Sequence, residues 1–145
     1  MQVEDIRSLL RWIAALRSGF FPQGEGRLIC DNGSYCCLGV QAIISPDIIV
    51  QGDGVKNDGL TSHFTLPVNH WPFCEIDLYQ GELSSMNDEG ASFEEIADFI
   101  ENRLKDYLEC GGALLSDFEE HSRFSDRHLR AILDYIKERK ARGEC

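Results

Sequence analysis

The sequence predicts a helix-rich α+β domain carrying a small antiparallel hairpin or sheet, on three observations. Residues 3–17 place Ile6, Leu9, Leu10, Ile13 and Leu16 at helical spacing. Ser92-Phe93-Glu94-Glu95 is a capping box, in which hydroxyl and carboxylate satisfy free amides at the start of a second amphipathic run. Between the two, Asp31-Asn32-Gly33 follows a short apolar stretch and suits a tight hairpin.

The first helix stops at Ser18-Gly19, and Pro22, Gly24 and Gly26 keep the next stretch irregular. A short strand is expected over Arg27–Cys30, turning through Asn32-Gly33. Tyr35-Cys36-Cys37-Leu38-Gly39-Val40 then leads to Ile43 and Ile44 before Pro46. As a helix this segment would put Cys36, Val40, Ile43 and Ile44 on one side, and a strand continuing from Ser34 is the alternative. Residues 46–82 are broken by Gly52, Gly54, Gly59, Pro67 and Pro72. Strand or loop pieces are expected near Ile48–Val50 and His63–Leu66, with a turn at Pro67–Trp71. After the capping box, Phe93, Ile96, Ala97, Ile100, Leu104 and Tyr107 form the stripe of a helix ending near Gly111-Gly112. A last helix should start at Ser125 and end in the basic Lys137, Arg139, Lys140 and Arg142, which suit a helix C-terminus.

At 145 residues, 43% hydrophobic and 27% charged, the chain suits one domain over residues 1–145 with one core. No window approaches the ~18 apolar residues that span a bilayer. Glu4 and Asp5 stand where a secretory signal would be basic, so a cytoplasmic location with six reduced thiols is expected.

The net charge of −11 is concentrated. Residues 46–110 hold fourteen acids and three bases, whereas both flanking segments are balanced. Binding along a nucleic-acid backbone needs clustered Lys and Arg and is disfavoured. An acidic stretch can instead attract a basic protein or imitate a nucleic-acid surface.

Cys36 is the outside candidate for catalysis, since a thiol at a helix N-terminus can become a nucleophile. His63 or His70 would serve as its base, with Asn69 or Asn87 orienting the ring. The cysteines and histidines lack the close pairing of zinc ligands, so no metal and no cofactor is expected. Phosphate binding rests on Arg17, which falls in line with the apolar stripe of the first helix, and on Arg27 after Gly24 and Gly26. Tyr35 offers a ring for stacking, and Asn87-Asp88, read as a turn before the capping box, offers hydrogen bonds to a sugar or base.

Trp12-x-x-Ala15-Leu16-x-Ser18-Gly19 with Gln23-Gly24 and Tyr35-Cys36-Cys37-Leu38-Gly39-Val40, followed by Met86-Asn87-Asp88-x-Gly90-x-Ser92-Phe93-x-x-Ile96-Ala97, resembles small uncharacterised bacteriophage and prophage proteins. In those a Cys-Leu-Gly segment precedes a Leu-Asn-Asp and Ser-Phe-x-x-Ile-Ala segment; Met86 stands here where Leu is usual. The resemblance runs from residue 3 to about 108. It implies a family-like core over 1–110, a helical C-terminal extension over 111–145 and a phage setting in a bacterial cytoplasm, and it supplies no catalytic residues.

The leading reading is a non-enzymatic phage counter-defence protein that sequesters a small phosphate-bearing nucleotide through Arg17, Arg27, Tyr35, Asn87 and Asp88. An acidic decoy that inhibits a host defence protein or nucleic-acid enzyme is the second reading, and a Cys36-dependent hydrolase the third. Partners are therefore a nucleotide or a host protein, without membrane or nucleic-acid backbone. A homo-oligomer through the C-terminal helix stays open.

Overall fold

In α1 (Val3–Arg17) the expected apolar positions turn inward: Ile6, Leu9, Leu10, Ile13 and Leu16 are all buried, with Trp12 beside them. The computed structural model describes residues 3–109, and the expected last helix and any oligomer contact through it lie outside that range. The order of elements is α1, α2 (Cys37–Ile44), β1 (Val50–Gln51), β2 (Gly54–Asn57), β3 (Leu60–Ser62), α3 (Gln80–Asp88) and α4 (Phe93–Glu109), with two short 3-10 helices between β3 and α3. Among the described residues the fold is α+β, four α-helices with one three-stranded antiparallel sheet in the order β1-β2-β3.

Packing follows the stripes. α1 lies against α4, whose Phe93, Ile96, Ala97, Ile100 and Leu104 are buried as the spacing predicts. The capping box forms as expected: Ser92 Oγ accepts from the Glu95 amide at 3.1 Å, and Glu95 Oε1 accepts from the Ser92 amide at 3.4 Å. Trp12 donates its indole N–H to the Cys37 carbonyl at 2.9 Å, and its ring meets Trp71 edge-on and stacks on Phe73, centroids 5.9 and 6.2 Å apart. Such ring pairs add about 0.5–1.5 kcal/mol each beyond buried area.

α2 is sheathed on nearly every side, with Cys37 through Ala42 all buried. That is more burial than one face supplies, and the side expected to be innermost is partly open, since Ile43 is 40% exposed. The helix sits on the backbone of Leu28. Cys36 donates its amide to the Leu28 carbonyl at 3.2 Å, and a Cβ at Gly39 would come within 1.8 Å of that same oxygen.

Three local expectations need correction. The strand at Arg27–Cys30 is reduced to a single antiparallel bridge, Ile29 to Tyr35. Asn32 does not take a positive φ there; its side chain accepts from the Ser34 amide and hydroxyl instead. The chain still reverses there through Gly33, at φ 80°, with the Cys30 carbonyl accepting from the Gly33 amide at 3.1 Å and the Cys30 amide donating to the Ser34 carbonyl at 2.8 Å; a second tight hairpin lies further on, where Asp58-Gly59 joins β2 to β3 with φ of 50° and 82°, the paired positive values of a type I′ turn. Finally, Asn87-Asp88 is the last turn of α3, a helix concealed by Gly81, Ser84 and Ser85, all weak helix formers.

Gly39→Ala is expected to cost about 2–3 kcal/mol by forcing α2 off the Leu28 carbonyl and to lower the melting temperature by roughly 10 °C. Circular dichroism of the variant checks this, and an unchanged melt would show that α2 does not rest on that backbone.

Candidate functional site

The residues expected to bind phosphate are held by different partners. Arg17, at the end of α1, is clasped by three carboxylates of α4: Asp98 at 2.5 Å, Glu101 at 2.6 Å and Glu94 at 3.5 Å. Burial works against its charge, but the hydrogen bonds it donates to Asp98 and Glu101, with their charge, outweigh burial and hold the guanidinium more firmly protonated than a free arginine. Glu101 shows the converse: burial opposes ionisation, and its bonds to Lys105 and Arg17 still leave the carboxyl below its usual range. Arg27 stands 3.5 Å from Asp53 Oδ2, and the other oxygen of that carboxylate is 3.1 Å from His63 Nδ1 without an aligned hydrogen bond. The two arginines share no partner among the described residues.

Tyr35 is half-buried, edge-on to Phe21 at 5.7 Å, and its backbone is pinned between Pro22 and Gly24. Asn87 is fully buried and fully bonded. Its Oδ1 accepts from the Cys37 amide at 3.2 Å and from Gln23 Nε2 at 3.1 Å, while its Nδ2 donates to the Gly24 carbonyl at 2.7 Å and towards Asp88 Oδ1 at 3.4 Å. Asp88 also accepts from the Gly26 amide at 2.9 Å. Asn87 and Asp88 thus do meet the glycine-rich stretch beside Arg27, but as the bolt that closes it onto α2 and α3. The open depression there, about 440 Å³, is lined by Glu25 and Asp31 as well as Arg27, a poor balance for an anion.

Cys36 is the N-cap of α2, its sulfur accepting from the Gly39 amide at 3.4 Å. Burial raises its pKa despite that bond, and burial raises that of Cys37 further. Neither His63 nor His70 has a hydrogen bond to Cys36 among the described residues. No group of three or more His, Cys, Asp or Glu able to hold a metal occurs among the described residues, and none of their helices is long and apolar enough to cross a membrane.

What the structure does assemble is a groove on another side. One depression of about 310 Å³ lies between the first turns of α1 (Asp5, Ser8, Arg11), the end of α2 (Gln41, Ser45) and Phe73. A second, of about 280 Å³, runs from Ile49 to the Asp58-Gly59 turn and Pro67. The two share Asp47, Asn69 and His70, so they form one path from α1 to the tip of the sheet. Carboxylates along it are Glu4, Asp5, Asp47 and Asp58, against Arg11 and Lys56. Ile49, Val50, Leu60 and Val68 stand exposed in this region's strands and turns, Val68 at 86%.

Gln41 is among the residues lining the first depression and is 2% exposed, with Nε2 bonded to Ser8 Oγ at 3.0 Å. Its Oε1 is buried without a hydrogen-bond partner among the described residues. Leaving such a group unpaired costs about 1–3 kcal/mol. Sequence reasoning passed over this residue, although one amide inside the otherwise apolar run Cys37-Leu-Gly-Val-Gln-Ala-Ile-Ile was a visible signal.

Fold and groove together define an α+β domain with an acidic cleft. A family described as a domain of unknown function (DUF8296) matches residues 4–78, just over half of the chain, and the chain belongs to that family. No curated protein and no solved structure matches it.

Two outcomes follow. Asn87→Ala should destabilise the fold by about 3 kcal/mol, because it strands the buried Cys37 amide and the part-buried Gly24 carbonyl and releases Gln23. Asn87→Asp should do no better, because it sets an acceptor against the Gly24 carbonyl. Thermal melts decide, and a native-like melt for both would mean that the amide is available to a ligand. With iodoacetamide at neutral pH, peptide-resolved mass spectrometry should find exposed Cys74 modified well before Cys36 and Cys37; preferential labelling of Cys36 would restore it as a nucleophile.

Proposed function

We propose that the protein acts by binding, as an acidic decoy that occupies a basic, partly apolar surface of another protein. In the phage or prophage setting implied by the resemblance, that partner is a host protein. The observation that carries this reading is the groove from Asp5 past Asp47 to Asp58, with apolar residues exposed beside it. It lies largely in the segment that holds the whole charge excess.

Two further facts favour an acidic binding surface over nucleotide capture and over thiol chemistry. Arg17 and Arg27, the cations on which nucleotide capture depended, are both engaged by carboxylates, which compete with a phosphate for the same donors. The thiol at the head of α2 is driven toward its unreactive protonated form by burial. An acidic surface by contrast needs no assembly: carboxylates on an exposed face raise the encounter rate with a basic partner and exclude acidic ones.

The test is affinity capture of the partner from bacterial lysate, followed by calorimetry with the identified protein. Asp47→Asn combined with Asp58→Asn is expected to weaken binding about tenfold at low salt, mainly through the association rate, and to flatten the salt dependence. Affinity that ignored both the substitutions and the salt would overturn the proposal.

A further inference from the structure

The turn between residues 30 and 34 carries chemistry that the groove does not use. Asn32 and Gly33 are both exposed, and the Asn32 side-chain nitrogen donates no hydrogen bond among the described residues. An asparagine is an electrophile toward the main-chain nitrogen of the next residue, which can close a ring on its Cγ; a glycine there has no Cβ to crowd the approach. Of the chain's five asparagines only Asn32 precedes a glycine, whereas Asn57 and Asn87 precede aspartates, Asn69 a histidine and Asn102 an arginine. Asn87 is moreover buried, and Asn102 lies inside α4, where the following amide is fixed by the helix. Two restraints hold the reaction back at Asn32 while the turn is closed. The attacking group, the Gly33 N–H, donates to the Cys30 carbonyl at 3.1 Å. Asn32 Oδ1 accepts from the Ser34 amide at 3.1 Å and from the Ser34 hydroxyl at 2.5 Å, which pins the side chain over Ser34. Ser34 is in turn buried against Gly24, leaving no room there for a Cβ.

We infer that Asn32-Gly33 is a site at which the chain modifies itself, deamidating at a rate gated by the Ser34 turn. Exposed turns open locally at small free-energy cost, so the reaction proceeds in the folded protein. In the open turn the Gly33 nitrogen gives its proton to solvent and bonds to Asn32 Cγ. The Cγ–Nδ2 bond breaks, and the side-chain nitrogen takes up a proton and leaves as ammonia. Water, the only co-reactant, then opens the cyclic imide. Cleavage of the new N–Cγ bond leaves an ordinary aspartate in place of Asn32; cleavage on the main-chain side reroutes the backbone through the side chain and lengthens it by a methylene. The two products differ in effect. A carboxylate still accepts both Ser34 bonds, so the first product keeps the turn. The second displaces Gly33 from the Cys30 carbonyl and disturbs the bond from the Cys30 amide to the Ser34 carbonyl. The same strip carries the Leu28 carbonyl on which Cys36 and Gly39 rest, so the lengthened chain loosens the seat of α2.

The experiment ages the full chain in warm neutral buffer, with and without urea, and follows each asparagine by peptide mapping with mass spectrometry, which reads loss of the amide and separates the two products. Asn32 should convert first, in the folded chain as well as in urea, and severalfold more slowly when folded. Ser34→Ala, which removes the hydroxyl from Asn32 Oδ1, should speed conversion of the folded chain severalfold and leave the rate in urea unchanged. Should Ser34→Ala not fold, the wild-type comparison of folded chain with urea tests the gate by itself. The lengthened product should melt below unmodified protein, whereas Asn32→Asp should melt with wild type. No conversion of Asn32 in the folded chain, earlier conversion of another asparagine, or equal rates in the folded chain and in urea overturns the inference. A folded Ser34→Ala chain that converts no faster than wild type overturns it as well.

Discussion

Four hydrogen bonds from one side-chain amide hold the three parts of this fold in register. Asn87, in the last turn of α3, reaches the first amide of α2, the carbonyl of Gly24 and the side chain of Gln23. Gln23 passes the connection on, donating to the Ala91 carbonyl at 2.7 Å and accepting from the Phe93 amide at 3.1 Å, where α4 begins. A buried amide that satisfies every donor and acceptor is directional in a way that apolar contact is not, and it selects one arrangement of the helices around the core. The irregular loop from Ser18 to Ser34 is held by scattered backbone bonds to Tyr35, Cys36 and His63, and this network adds the ties to α3 and α4.

The charge of the molecule is arranged with similar economy. Acids near the start of α4 close on Arg17 and tie the end of α1 down, so they add little to the outward field despite their number. Asp53 is likewise absorbed by Arg27 and His63. Asp47 and Asp58 stand among the carboxylates outside these pairings, and they flank the groove. A net charge read from composition therefore overstates how evenly the surface is acidic, and the pairing pattern decides where a basic partner would settle.

Much of the helical framework was legible because it obeys period. The α1 stripe from Ile6 to Leu16 and the α4 stripe from Phe93 to Leu104 are buried as spaced, and the Ser92–Glu95 box caps as its chemistry requires. α3 was not legible, because Leu83 and Asn87 are its only buried residues and an interior glycine masks the helix. The sheet escaped the reading because Asn32-Gly33 carries the stronger hairpin signature by residue type; the chain does turn there, but through Gly33 with the Asn side chain folded back on Ser34, while Asp58-Gly59 makes the I′ turn of the sheet. The groove was invisible for a different reason. Its walls come from α1, the end of α2 and the turn at Asn69-His70, which only tertiary packing brings together.

The similarity that defines the family stops at residue 78, before α3 and α4 begin. Those two helices supply the Asn87 bonds, the cover over the apolar face of α1 and the acids that neutralise Arg17. The segment that matches the family therefore does not close on itself in this chain: cut at residue 78, it would leave the apolar face of α1 open to water and the first amide of α2 without its acceptor.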